Sequence, residues 1–242
     1  MTNMRTIRVT GKGKIRVKPD VTRLTITLSG LFKEYGETLS RSSKDTETLK
    51  ELFAGFGFEK EALKTTHFDV NTEYESYEEH GEYKQRFVGY RFTHILKLEF
   101  ESDNEKLGKV VYALAHSEIE PEFRISYTVK DPESAKNALL GKAVEDAKAK
   151  AAVIAKASGV KLLDIQRIDY SWAQAELESY PMRDMMLCKM ADNSIATGSY
   201  DLNMEPDDIE VSDTVTVVWK ISKEVSNESD RNVSGRFSDR RV

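Results

Sequence analysis

Cysteine occurs once in the 242 residues, at Cys188, so an intrachain disulfide is excluded and the chain suits a reducing compartment. No apolar run approaches the ~18–20 residues that a membrane span needs. A strong excess of one charge is also missing. Lys and Arg number 36 against 41 Asp and Glu, which argues against a generic nucleic-acid binder. The opening MTNMRTIRVTG has no apolar stretch of the kind a signal peptide requires. The expected localisation is therefore cytoplasmic, with no nucleic-acid partner and no membrane span.

Catalytic and ligand-binding signatures are scarce as well. His67, His80, His94 and His116 are scattered, and neither His-x-x-x-His nor Cys-x-x-Cys occurs. Gly11-Lys-Gly-Lys14 lacks the spacing of a phosphate-binding loop and does not open a helix, so its glycines are read as packing residues. No Ser-His-Asp order stands out, and no two carboxylates pair at a recognisable site. No catalytic, cofactor-binding or metal-ligating residue is assigned, no cofactor is expected, and the chain reads as a non-enzyme. Acids around His80 could gather a cation only weakly, because hard cations want several converging oxygens.

What is present is clear periodicity. Ile7, Val9, Gly11, Gly13, Ile15 and Val17 alternate with polar residues, giving a half-buried strand. Two glycines on its apolar face predict a bulge or close approach by another element. Pro19-Asp20 then predicts a turn, and Leu24, Ile26, Leu28, Gly30 and Phe32 a second strand that pairs with the first as a hairpin. From Tyr35 to Phe56 the period becomes helical, with a seam of Leu39, Ser43, Thr46, Leu49 and Phe53. A long hairpin follows from about Leu63 to Phe100, with its tip near Gly81 and with Val88, Tyr90, Phe92, His94, Leu96 and Leu98 on one face. A short helix after an N-cap at Ser102–Glu105, a strand at Phe123–Val129, and a long Ala-rich helix from Asp131 to Gly159 come next. The long helix has a seam of Leu140, Val144, Ala147, Ala151, Ile154 and Ser158. Strands at Ile165–Trp172 and Ile209–Ile221 close the pattern. The expected fold is α+β: antiparallel sheets with long hairpins, packed against the Ala-rich helix and one or two shorter ones.

Residues 176–208 have no clean period and read as an irregular excursion. Within it, Met182, Met185, Met186, Cys188 and Met190 form a sulfur-rich patch suited to adaptable contacts, with soft-metal binding or oxidation as the sharper reading. Residues 224–242 are too poor in apolar side chains to fold and read as a disordered tail. Residues 1–223 are expected to form a single domain.

The order of these segments resembles a known family. Ile7-Arg-Val-Thr-Gly-Lys-Gly-Lys-Ile-Arg-Val-Lys-Pro-Asp20 is similar to the opening of the SIMPL-domain family. Val88-Gly-Tyr-Arg-Phe92, Asn104-Glu-Lys-Leu-Gly-Lys109, the Ala147–Val160 helix end and the Val211–Ile221 strand resemble later family segments in the same order. The resemblance covers nearly the whole chain. It implies an α+β fold, a tendency to self-assemble and no confirmed enzyme activity. Some bacterial members carry oxidative-stress or periplasmic labels, and many carry a secretion signal.

The hairpin gives assembly a physical basis. Arms of ~15–18 residues would span ~50–60 Å if unbent, so the hairpin must bend, coil or protrude, and an isolated ribbon is marginal in water. Tyr74, Tyr77, Tyr83 and Phe87 lie beside its tip and are the candidate interface of a homo-oligomer. The expected function is a non-enzymatic self-assembling protein with a scaffold or stress-related role. The alternative is a small-molecule or metal-binding protein, or an unrecognised hydrolase, using residues 176–208 as a lid.

Overall fold

A computed structural model describes residues 5–170, 177–180, 199–202 and 204–223. The fold is α+β. The elements run β1 (Thr6–Val17), β2 (Val21–Phe32), α1 (Tyr35–Ala54), a 3-10 turn (Lys60–Ala62), β3 (Lys64–Glu79), β4 (Glu82–Glu101), α2 (Asn104–Ala115), β5 (Glu122–Thr128), α3 (Pro132–Ala157), β6 (Val160–Asp169), β7 (Glu178–Ser179) and β8 (Ile209–Lys223). They form a three-stranded sheet, β1-β8-β6, and a five-stranded sheet, β3-β4-β2-β5-β7. Contacts group the chain into two compact units. One draws on Met1–Ile15, Ser134–Ala175 and Val211–Val242, the other on Arg16–Glu133 and Glu176–Glu210.

In the first unit, α3 lies on the small sheet through alanine. Leu139, Ala143, Ala147, Ala151 and Ala155 are its buried residues, each four apart. Ala143, Ala147 and Ala151 pack with Val9, Val215, Val217 and Trp219. The two glycines of β1 permit the contact. A Cβ on Gly11 would stand 2.1 Å from the Ala143 carbonyl oxygen and 2.4 Å from the Ala147 nitrogen. One on Gly13 would stand 2.2 Å from the Leu139 carbonyl oxygen. The close approach expected of this pair is therefore present. The expected seam holds at Ala147 and Ala151 and is corrected by one residue elsewhere: Leu140 and Val144 are only partly buried, with Leu139 and Ala143 in their place, and Ile154 is exposed beside the buried Ala155. Helix backbone can come this close to strand backbone only along a stripe of small side chains, which Ala143, Ala147, Ala151 and Ala155 supply.

The second unit holds the larger core. Leu24, Ile26 and Leu28 of β2, Phe92, Leu96 and Leu98 of β4, and Leu49 and Phe53 of α1 are all within 2% of full burial. Leu107, Val110, Val111 and Leu114 of α2 complete the cluster. Asp103 caps α2, its carboxylate accepting the Lys106 N–H at 3.0 Å. The described ends of the 176–208 segment are anchored here. Leu177 and Leu202 are buried, β7 pairs with β5, and the Tyr200 carbonyl packs where a side chain on Gly108 would stand.

Two expectations are corrected in this unit. The first two strands do not pair with each other: β1 neighbours β8, whereas β2 runs between β4 and β5. Asp20, read as a hairpin turn, is tied elsewhere. Its N–H donates to the Thr128 carbonyl (3.1 Å), its carbonyl accepts from the Ser102 N–H (3.0 Å), and its carboxylate accepts from the Lys130 N–H (2.8 Å). The α1 seam also turns by one residue in its first half, where Thr38, Ser42 and Asp45 are buried and Leu39 is exposed.

The glycine–alanine contact makes a direct prediction. Gly11→Ala and Ala151→Leu should each destabilise by ~1–3 kcal/mol through overpacking, whereas the exposed Arg8→Ala should stay within ~0.5 kcal/mol. Urea denaturation midpoints decide this, and an unchanged midpoint for Gly11→Ala would refute the contact.

Candidate functional site

Strand β4 is longer than the sheet that holds it. Its pairing with β2 runs from Glu101 to Tyr90, which faces Phe32. Beyond that point β3 and β4 pair only with each other, from Glu73↔Gly89 to Glu79↔Glu82. Seven residue pairs at ~3.3 Å carry this ribbon roughly 23 Å past the last β2 pair. Its turn is made by His80 and Gly81, both left-handed (φ 55° and 81°), as two-residue hairpin turns require. Gly89 marks the root, since a Cβ there would stand 2.4 Å from the Phe32 carbonyl oxygen.

A bulge sorts the ribbon's side chains. The register shifts between Glu73 and Tyr74, so Val88 is skipped and Tyr74 faces Phe87. This corrects the expected alternation, in which Val88 shared a face with Tyr90 and Phe92. With the shift, Phe87 joins that face instead, 5.2 Å from the Tyr90 ring. Tyr74 lies 5.9 Å from Phe87, and Tyr35 lies 5.3 Å from Tyr90, all in edge-to-face geometry. The result is a row of four rings that prolongs the face on which α1 packs. Tyr83, opposite Glu78 on the same side, is the most exposed large apolar residue described, at 83%.

The opposite face is ionic. Glu73 pairs with Arg91 at 2.7 Å, Glu75 with Arg86 at 2.7 Å, and Glu79 with Lys84 at 2.7 Å. Tyr77 sits on this side, its ring 5.7 Å below the Arg86 guanidinium. Of the four candidate interface residues, the structure thus joins Tyr74 and Phe87, places Tyr83 on their side and puts Tyr77 on the other. Tyr35 and Tyr90 were missed by sequence reasoning. Tyr90 was legible as a face residue of the strand, but the bulge that brings Phe87 to it leaves no sequence signal. Met182, Met185, Met186, Cys188 and Met190 lie outside the described residues.

A polar cluster sits nearer the core. Half-buried His94 meets Thr46 Oγ1 (3.1 Å) and Ser42 Oγ (3.3 Å) through Nδ1, and Thr65 Oγ1 (2.8 Å) through Nε2. The Thr46 hydroxyl already donates to the Ser42 carbonyl at 2.8 Å. Its oxygen is thus left to accept from Nδ1–H, and Nε2 accepts from Thr65. This is a satisfied interior imidazole, and it explains why α1 buries Ser42 where Ser43 was expected. Among the described residues, no group of three or more His, Cys, Asp or Glu is arranged to hold a metal ion.

One comparison decides the family. The family model described as SIMPL, a protein of unknown function (DUF541), matches residues 7–219. The chain belongs to the SIMPL family. No curated protein matches it. In this SIMPL chain no helix among the described residues is long and apolar enough to cross a membrane.

Burial, aided by the nearby Lys50 charge, pushes the His94 pKa below the usual imidazole value of 6.5. The unfolded chain therefore takes up the proton first as pH falls. The His94 contribution to stability is intact above pH ~6.5 and is lost as pH drops through the folded value. His94→Gln removes that titration. The stability gap between the parent and His94→Gln should shrink between pH 7.5 and 5 in urea denaturation, and a constant gap would show that the imidazole titrates as it does in water.

Proposed function

We propose that this SIMPL chain is a non-enzymatic, self-assembling protein with a scaffold or stress-related role, and that its subunits meet through the aromatic face of the distal β3–β4 ribbon. The observation that carries this reading is the segregation of the ribbon into an ion-paired face and an exposed aromatic one. A hairpin lying on its own sheet would bury one of its faces, yet every residue from Glu82 to Phe87 is exposed. A two-stranded ribbon with neither face covered is marginal in water, so a covering partner stabilises it.

The magnitudes support association through this face. Aromatic side chains offer ~150–250 Å² each. Tyr74, Tyr83 and Phe87 are 57%, 83% and 46% exposed. Together they present roughly 350 Å² of ring surface, or about 700 Å² when two copies meet face to face. At ~25 cal/mol per Å² that is on the order of 17 kcal/mol before association costs of ~4–15 kcal/mol. The balance is favourable, although standard interfaces of ~1,200–2,000 Å² call for polar rim contacts as well. The acidic balance of the chain and its single cysteine support a reducing compartment without a nucleic-acid partner.

Two variants test this. Phe87→Ser should shift the solution mass toward monomer at micromolar concentration without lowering the thermal midpoint by more than a few degrees. Replacing residues 76–83 by Asn-Gly should do the same. A parent that is monomeric by light scattering would refute assembly, and an unchanged oligomer in both variants would move the interface off the ribbon.

A further inference from the structure

The other flank of β2 is incomplete. On that side β5 pairs with β2 only from Thr128↔Val21 to Glu122↔Thr27. Strand β2 continues to Phe32. Among the described residues no strand pairs with Leu28–Phe32 on the β5 side. The chain is turned away from this edge by two local features. Pro121 has no N–H to add to the ladder, and Glu120 adopts a left-handed backbone (φ 48°) that an L side chain rarely takes. Strain of that kind is held where the surrounding structure demands it.

The vacated edge borders a cavity of about 530 Å³. Its walls are Thr27–Gly30 and Phe32 of β2, the α1 residues Arg41 and Asp45, and the Ile119–Glu122 turn, with Phe92 and Thr93 behind. The volume lies within the ~300–1,000 Å³ of ordinary ligand clefts. Asp45 is 7% exposed and holds Arg41 at 3.0 Å. That pair is internally neutralised. Glu120 and Glu122, both exposed at the mouth, leave the site net negative.

We propose that the Leu28–Phe32 edge is a strand-addition site for an extended peptide that carries lysine or arginine. The peptide would continue the ladder where β5 leaves it, its backbone meeting the open N–H and C=O groups of β2. Alternate side chains would enter the cavity over the half-buried Phe32, whose ring suits the stem and charge of a lysine or arginine. Glu120 and Glu122 would hold the cationic end. The edge lies across β2 from the β3–β4 ribbon, so this site does not depend on the assembly reading.

The probe is a fluorescein-labelled acetyl hexapeptide of alternating valine and lysine, titrated with the full chain and followed by anisotropy. Three comparison peptides replace lysine with glutamate, replace lysine with serine, or carry N-methyl groups on alternate amides. Saturable binding of the lysine peptide is expected, weaker by about tenfold or more for the N-methylated and glutamate peptides. Glu120→Gln with Glu122→Gln should weaken the lysine peptide by roughly fivefold. Amide exchange at Leu28–Phe32 should slow on binding. Equal affinity for the N-methylated peptide overturns backbone pairing. Equal affinity for the serine peptide overturns the cationic specificity and assigns the groove to a neutral occupant. No saturable binding of any peptide overturns the site.

Discussion

Strand β4 has twenty residues, and the sheet around it can use only about twelve. Much of what this chain can do follows from that mismatch. The proximal half of β4 is paired on both sides and supplies Phe92, Leu96 and Leu98 to the core. The distal part has β3 alone, and water reaches both of its faces. Such a ribbon can be kept polar or given a partner. Here the bulge at Glu73/Tyr74 places ion pairs on one side and rings on the other. The apolar face of the core thus runs on, unroofed, past the N-terminus of α1.

Close backbone contact organises the first unit in a different way. Gly11 and Gly13 remove the side chains that would hold α3 off the sheet, and the alanine stripe of α3 removes them from the other side. Neither half is useful alone. The pair trades the packing of larger side chains for proximity, which is why a single methyl group added at Gly11 has nowhere to go.

Much of this was legible in the sequence. The glycines of β1, the long hairpin with its tip at Gly81, and the Ala-rich helix all follow from period and composition, since burial on one face leaves a mark at every second or fourth residue. The errors have physical causes. Pro19-Asp20 has turn chemistry, but Asp20 spends its hydrogen bonds on the ends of β4 and β5, and partner choice is a long-range property. The first half of the α1 seam differs because that surface meets polar groups of β4: Ser42 sits at His94, and Thr38 at the Tyr90 carbonyl. Apolar periodicity carries no signal for a polar contact. Phe87 is legible as an aromatic beside the tip, but its meeting with Tyr90 depends on a bulge, and the Tyr35 ring reaches Tyr90 from a helix start far away in sequence.

Hydrogen exchange tests, residue by residue, whether the aromatic face of the ribbon is a subunit contact. On the proposed assembly, amides between Tyr74 and Phe87 would gain protection only while a partner covers the ribbon, because an uncovered two-stranded ribbon opens readily. Exchange should therefore be slow in this segment at high micromolar protein and fast after dilution to low nanomolar, with the proximal β2–β4 amides unchanged. Fast exchange of the distal ribbon at every concentration would contradict the account.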